Sequence, residues 1–164
     1  MEGTLYVCPT PIGNIKDVSE RVLETLRAAD LVAAEDTRNT GQLLSRYQIK
    51  AELISYHQHN EKERTEQLVQ KLKDGMQIAL VTDAGMPAIS DPGQILVRRC
   101  HEEGVTVTAL PGPCAFVTAL AMSGLDSRRF TFEGFLPVDK KERAAILEDL
   151  REGKRTMIFY EAPH

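Results

Sequence analysis

From Thr4 to Leu110 short runs of β-branched and aliphatic residues alternate with longer segments whose apolar positions recur at helical spacing. That alternation admits few folds besides a parallel sheet built from βαβ units. Strands are expected over 4–8, 31–34, 52–56, 77–82 and 105–110, with helices in the gaps. Asp17-Val18-Ser19-Glu20 reads as a capping-box variant ahead of Val18, Val22, Leu26 and Ala29, which share one helical face. A helix over 61–74 repeats the device, with Leu68, Val69 and Leu72 inward and Gly75 as its C-terminal cap; Gly104 ends the next helix in the same way. The expected class is α/β, a mostly parallel sheet flanked by helices.

A parallel sheet covered on both faces binds ligands outside the carboxyl ends of its strands. The unusual loops are expected there. PTPIGN (9–14) follows the first strand, EDTRNT (35–40) the second, HQHNE (57–61) the third, TDAGMPAISDPG (82–93) the fourth and PGPCA (111–115) the fifth. The helix-to-strand ends carry only simple caps such as Lys73-Asp74-Gly75 and Glu102-Glu103-Gly104. Glycine and proline together specify a rigid path of bare peptide groups, suited to holding a ligand through its main chain.

Several chemistries lose support. No Gly-x-Gly-x-x-Gly follows the first strand and no Gly-Lys-Ser/Thr loop occurs, so the familiar dinucleotide and nucleotide phosphate cradles are missing. No serine sits in a Gly-x-Ser-x-Gly elbow. Cys8, Cys100 and Cys114 match no zinc or redox spacing, which predicts reduced thiols and no structural metal. The net charge of −4 gives no global basic footprint, and the pairs Arg98-Arg99, Arg128-Arg129 and Lys140-Lys141 read as solvated faces. No apolar run approaches the roughly 20 residues of a membrane span, and no signal-peptide pattern opens the chain, which predicts a cytoplasmic protein without a membrane partner.

After Ser123-Gly124-Leu125 the pattern restarts with a strand at 130–135, a helix near 139–152 and a strand at 155–161. We therefore expect an N-terminal α/β domain over 1–122 and the beginning of a second α/β domain over 123–164. One β-α-β unit buries little core of its own, which predicts that the second domain is incomplete and the chain a fragment.

Read in order, GTLYVCPTPIGNIKD, AAEDTRNTGQLL, SYHQHNE, TDAGMPAISDPG, LPGPCA, FEGFLP and FYEAPH resemble the ribosomal small-subunit RNA methyltransferase I family, within the tetrapyrrole-methylase-like class. The resemblance implies S-adenosylmethionine as cofactor, the ribose 2′-hydroxyl of a cytidine in 16S rRNA of the small ribosomal subunit as acceptor, and a homodimer. It also implies that Pro11, Asp83, Gly85, Met86, Pro87, Ala88, Ile89, Ser90, Pro111, Gly112, Pro113, Cys114 and Ala115 line the cofactor. Met86 and Cys114 stand where the family pattern suggests Thr and Ser.

For the proton that must leave the ribose hydroxyl, the candidates are Glu35 and Asp36 at the second strand end and His57 and His59 at the third. EDTR also reads as a helix cap, and the histidines as a structural pair. Arg38, with Asn39 and Thr40 beside it, is assigned to the RNA, because a guanidinium suits a phosphate. Two alternatives remain: methyl transfer to a tetrapyrrole carbon, and a non-catalytic cofactor- or RNA-binding fragment. Low aromatic content and two polar loops favour the RNA acceptor over a flat macrocycle.

Overall fold

A computed structural model describes residues 3–162, so the last two residues of FYEAPH lie outside it. The first compact unit, up to Cys114, carries β1 (Thr4–Val7), α1 (Glu20–Ala28), β2 (Leu31–Ala34), α2 (Thr37–Arg46), β3 (Leu53–Ser55), α3 (Glu61–Lys73), β4 (Gln77–Val81), α4 (Gln94–Glu102) and β5 (Thr106–Ala109). Its sheet runs β3-β2-β4-β1-β5 and every pairing is parallel. Val7 pairs with Leu80 and Ala109, and Ala34 with Val81 and Ser55. The strands therefore end almost level, and all five strand-to-helix loops leave from one edge.

Alternate facing of residues along β2 and β4 explains why β2 is buried throughout and β4 from Ile78 to Val81. Leu31, Ala33, Ile78 and Leu80 join Leu68, Val69 and Leu72 of α3 and Leu96 and Cys100 of α4 in one core. Val32, Ala34, Ala79 and Val81 join Val22 and Leu26 of α1 and Leu44 of α2 in another. Two apolar faces need two helical layers, and continuous apolar strands are the sequence consequence.

The strand ranges match the expected ones to within a residue or two, as do α3 and the helix near 139–152, with two local corrections. Ser19 caps α1 by accepting from the Val22 N–H, while Asp17 belongs to a 3-10 turn at Ile15–Asp17 and caps nothing. Asn60 precedes α3 without a side-chain cap bond; its Oδ1 accepts instead from the His57 N–H, and its Nδ2 donates to the Ser55 carbonyl. At the other end of α3, Gly75 sits at φ 101° and donates to the Leu72 carbonyl, a conformation glycine adopts without steric cost.

The second unit, from Ala115, contains α5 (Ala115–Ser123), β6 (Phe130–Phe135), α6 (Lys140–Leu150) and β7 (Thr156–Tyr160), with β6 and β7 parallel. The division at Cys114/Ala115 falls earlier than the expected 122/123 because α5 packs on these strands. Phe116 stacks on Phe132 at a centroid distance of 4.5 Å, and its N–H donates to the Tyr160 hydroxyl at 3.2 Å. Among the described residues no helix is long and apolar enough to cross a membrane.

Leu80 lies at the centre of the first core, 1% exposed. Leu80→Ala should lower unfolding stability by about 2–5 kcal/mol, read by denaturant titration of the purified protein.

Candidate active site

The loops at the strand ends are cross-tied by specific bonds. Thr10 and Gly85 exchange both main-chain hydrogen bonds, at 2.9 and 3.0 Å, which joins the loop after β1 to the loop after β4. The Thr10 hydroxyl adds a bond to the Thr82 carbonyl at 2.9 Å. Gly112, after β5, lies so close to Pro9 that a Cβ there would meet the proline ring at 2.4 Å. From the loop after β2, Glu35 Oε2 accepts from the Thr82 hydroxyl at 2.7 Å and from the Asp83 N–H at 3.3 Å, while Asn39 Nδ2 donates to Asp83 Oδ2 at 2.9 Å. Four of the five loops thus form one hydrogen-bonded and packed rim.

Its main-chain conformation is unusual between Asp83 and Gly93. Gly85 takes φ 87° and Gly93 φ 136°, and two non-glycine residues, Ala88 and Ser90, stand at φ 67° and 56°. Left-handed backbone at such residues costs of order 1–3 kcal/mol each and gathers at ligand-holding loops. The Ala88 N–H donates to the Pro92 carbonyl, fixing the inner bend. Among the described residues, the N–H groups of Met86, Ile89 and Ser90 find no acceptor within the chain.

Two cavities open at this edge. The larger, about 850 Å³, is lined by Thr10, Pro11, Gly13, Thr82 and Asp83 and by α2 from Arg38 to Arg46. The smaller, about 440 Å³, is lined by Glu35, Gln58, Glu61, Asp91, Arg98 and the bend at 88–92. Of the residues assigned from the sequence, Pro11, Asp83, Arg38, Asn39 and Thr40 line the first, and Glu35, Ala88 and Ser90 the second. Pro111, Gly112, Pro113 and Cys114 belong to the first unit, while Ala115 opens α5 in the second.

The four candidate proton acceptors separate physically. Asp36 caps α2 through the Arg38 N–H at 2.8 Å, and it also takes the Arg38 guanidinium on both oxygens, at 3.0 and 2.6 Å. Those bonds hold its carboxyl down at about 2, a poor match for accepting a proton near neutrality. His57 and His59 pack edge-on at 5.9 Å and line neither cavity; the His57 carbonyl accepts from Asn60 and Glu61 to start α3, and the His57 Nδ1 is buried without a partner among the described residues. Glu35 remains, bonded to Thr82 at the centre of the rim.

Asp91, unassigned from the sequence, joins it. Burial pushes the half-buried Asp91 carboxyl up to about 6, the Glu35 charge adds to the rise, and the Thr82 hydroxyl opposes it. A carboxyl whose burial raises its proton affinity beside a second carboxylate is a recurring feature of acid–base sites. The sequence signal was faint: an aspartate before Pro-Gly reads as a turn residue, and its burial beside Glu35 is a tertiary fact. Cys8 and Cys100 offer no competing chemistry, since burial pushes them up to about 12 and about 11. Among the described residues no group of three or more His, Cys, Asp or Glu side chains could hold a metal ion.

Because the folded state holds the Asp91 proton above its ordinary 3.8, this group favours folding below that value and loses its contribution as pH rises through about 6. Wild type should therefore lose stability between about pH 4 and 6 relative to Asp91→Asn, as measured by urea midpoints across that range. Thr82→Val, which removes a buried hydroxyl bonded to a carboxylate, should cost about 1.5–3 kcal/mol in the same assay.

Comparison with known proteins adds three observations. The model of the tetrapyrrole (corrin/porphyrin) methylases matches residues 4–164. The chain is 53% identical over 163 residues to ribosomal RNA small subunit methyltransferase I of Escherichia coli O157:H7, covering 99% of this chain and 57% of that protein. It is 54% identical over 164 residues to the protein of the same name from Haemophilus influenzae (strain ATCC 51907 / DSM 11121 / KW20 / Rd), covering 100% and 58%. The chain thus spans under three-fifths of the length of these curated relatives. Among solved structures, a diphthine synthase superposes with a TM-score of 0.72 at 16% identity, covering 99% of this chain and 66% of that one, a likeness of fold.

Proposed function

Since the chain belongs to the tetrapyrrole (corrin/porphyrin) methylase family, we propose that it is part of an S-adenosylmethionine-dependent enzyme that methylates the ribose 2′-hydroxyl of a cytidine in 16S rRNA. The carrying observation is the rim itself. A strained, peptide-rich bend over 83–93 is tied by Thr10–Gly85 to the neighbouring loop and stands beside a carboxyl pair. The names of its relatives, which span more than this chain, support the ribosomal acceptor. We extend the reading to a homodimer and a cytoplasmic site of action, as the family resemblance implies.

The residues present suit the cofactor. Unbonded N–H groups at Met86, Ile89 and Ser90 can meet its carboxylate and adenine edge, and the exposed Asp83 carboxylate can accept from ribose hydroxyls or the ammonium. Pro11 and the segment Pro111–Cys114 would form apolar walls. When bound, S-adenosylmethionine supplies an electrophilic methyl group. The chain's part is to hold donor and acceptor in line, worth about 7–11 kcal/mol, and to accept the hydroxyl proton, worth roughly 3–5.5 kcal/mol.

For the proton, the pair Glu35 and Asp91 is the better acceptor on this reading. Glu35 keeps its place through Thr82, and Asp91 titrates near 6, where a base is ionised at neutral pH yet still basic enough to help. Asp36 becomes a positioning residue that starts α2 and aims Arg38.

Full-length protein incubated with radiolabelled donor and small ribosomal subunits should place label on one cytidine ribose, read by ribose-methylation mapping. Label on a base, or none, would overturn the assignment. Asp91→Asn should lower kcat by about 10²–10⁴-fold with little change in calorimetric donor affinity, and should flatten the wild-type rise of kcat/KM through about pH 6. Equal proportional losses in turnover and donor affinity would count against an acid–base role.

A further inference from the structure

Helix α2 differs from the other helices of the first unit in having no acidic residue. Its sequence TRNTGQLLSR carries Arg38 and Arg46, whereas α1, α3 and α4 each carry glutamates. At 100° per residue, Thr40 and Leu44 turn to the core and are buried, which leaves Arg38, Gln42, Ser45 and Arg46 on the opposite side and Gly41 on the flank between. All five line the 850 Å³ cavity. In a chain of net charge −4, an acid-free helical face against the larger of the two cavities at this edge is a local exception to the overall balance.

Gly41 sharpens the point. Glycine in a helix interior costs backbone entropy and is kept where something approaches closely. Packing inside this chain does not require it: a Cβ at Gly41 would meet only Leu53 Cδ1, at 3.8 Å, an ordinary contact, and Gly41 is not among the positive-φ glycines. Gly41 also lines the cavity, where it presents bare main chain. Both flanking arginines can still bind anions. Arg38 is 85% exposed and spends two side-chain donors on Asp36, leaving three of the five a guanidinium offers. Arg46 is exposed and makes no ion pair with a described residue. The two lie about 12 Å apart along the helix axis, a separation that outruns one phosphate and spans more than one nucleotide step.

Resting on the proposed RNA acceptor, we infer that this face of α2 is a track for a single RNA strand, with Arg38 and Arg46 on backbone phosphates more than one nucleotide step apart and Gly41 giving clearance for the sugar-phosphate chain between them. Gln42 and Ser45 supply neutral hydrogen-bonding groups along the same line. The track is sequence-independent, because phosphate contacts fix register and carry no base information.

The test is fluorescence anisotropy of full-length protein with a fluorescein-labelled, cytidine-containing single-stranded RNA dodecamer across a salt series. Arg46→Ala should weaken binding several-fold and reduce the slope of log affinity against log salt by about 1, and Arg46→Lys should retain the slope. Gly41→Ala should raise the thermal midpoint by roughly 2 °C while weakening RNA binding, a combination that misfolding does not produce. Wild-type affinity and slope in both Arg46→Ala and Gly41→Ala would overturn the track. So would a loss confined to calorimetric S-adenosylmethionine affinity, which would give the face to the cofactor. Methyl transfer to small subunits by the wild type reports separately on the proposed reaction, so a failed reaction with the binding pattern intact removes the chemistry and keeps the track.

Discussion

Parallel strand direction is the constraint from which the rest of this structure follows. Because β1 to β5 run the same way and end nearly level, each loop that follows a strand must emerge at one edge. A sheet of this kind needs helices on both faces, and those helices fill the space from which loops might otherwise have come together. The edge is then the one place where five segments distant in sequence meet with their main chains still available. Thr10 and Gly85 use that opportunity: their reciprocal bonds convert two loops into a single short ladder, so the strained bend at 83–93 is held from outside as well as by its own Ala88–Pro92 bond.

Electrostatics divides the edge into two regions. On the α2 side, Asp36 spends its charge on Arg38 and on the first turn of the helix, so it acts as a fixed support. On the α4 side, Glu35 and Asp91 share the neighbourhood of one hydroxyl, Thr82, whose single proton goes to Glu35. That asymmetry explains why two carboxyl groups of one edge, Asp36 and Asp91, have opposite prospects as bases. Bonds to a cation hold a carboxyl ionised, whereas burial beside another carboxylate resists ionisation.

Much of this is legible in the residues. Continuous apolar runs along β2 and β4 announce a doubly covered sheet, and Gly, Pro and polar residues concentrated after five strands mark the edge. Caps are less legible, because Asp17 and Ser19 are both competent acceptors and only the helix's actual first turn selects Ser19. The end of the first unit is hard to read because α5 is an apolar helix that either unit could use, and its stacking on Phe132 is invisible in periodicity. Asp91 is hidden for a related reason. Its character comes from burial and from Glu35, which reaches it through the fold.

On the proposed reading the two regions act together on an acidic chain's least favourable partner. Phosphates are repelled by Glu35, Asp83 and Asp91 at the ends of β2 and β4, and they are attracted along the acid-free face of α2. The same charges that would discourage RNA therefore restrict where its backbone can lie. A strand seated on Arg38 and Arg46 keeps its phosphates on the helix side, and the sugar between them is the uncharged part best able to approach the carboxyl pair. Overall charge would then limit affinity, while its local arrangement would set orientation, which contributes more to methyl transfer than removal of the hydroxyl proton does.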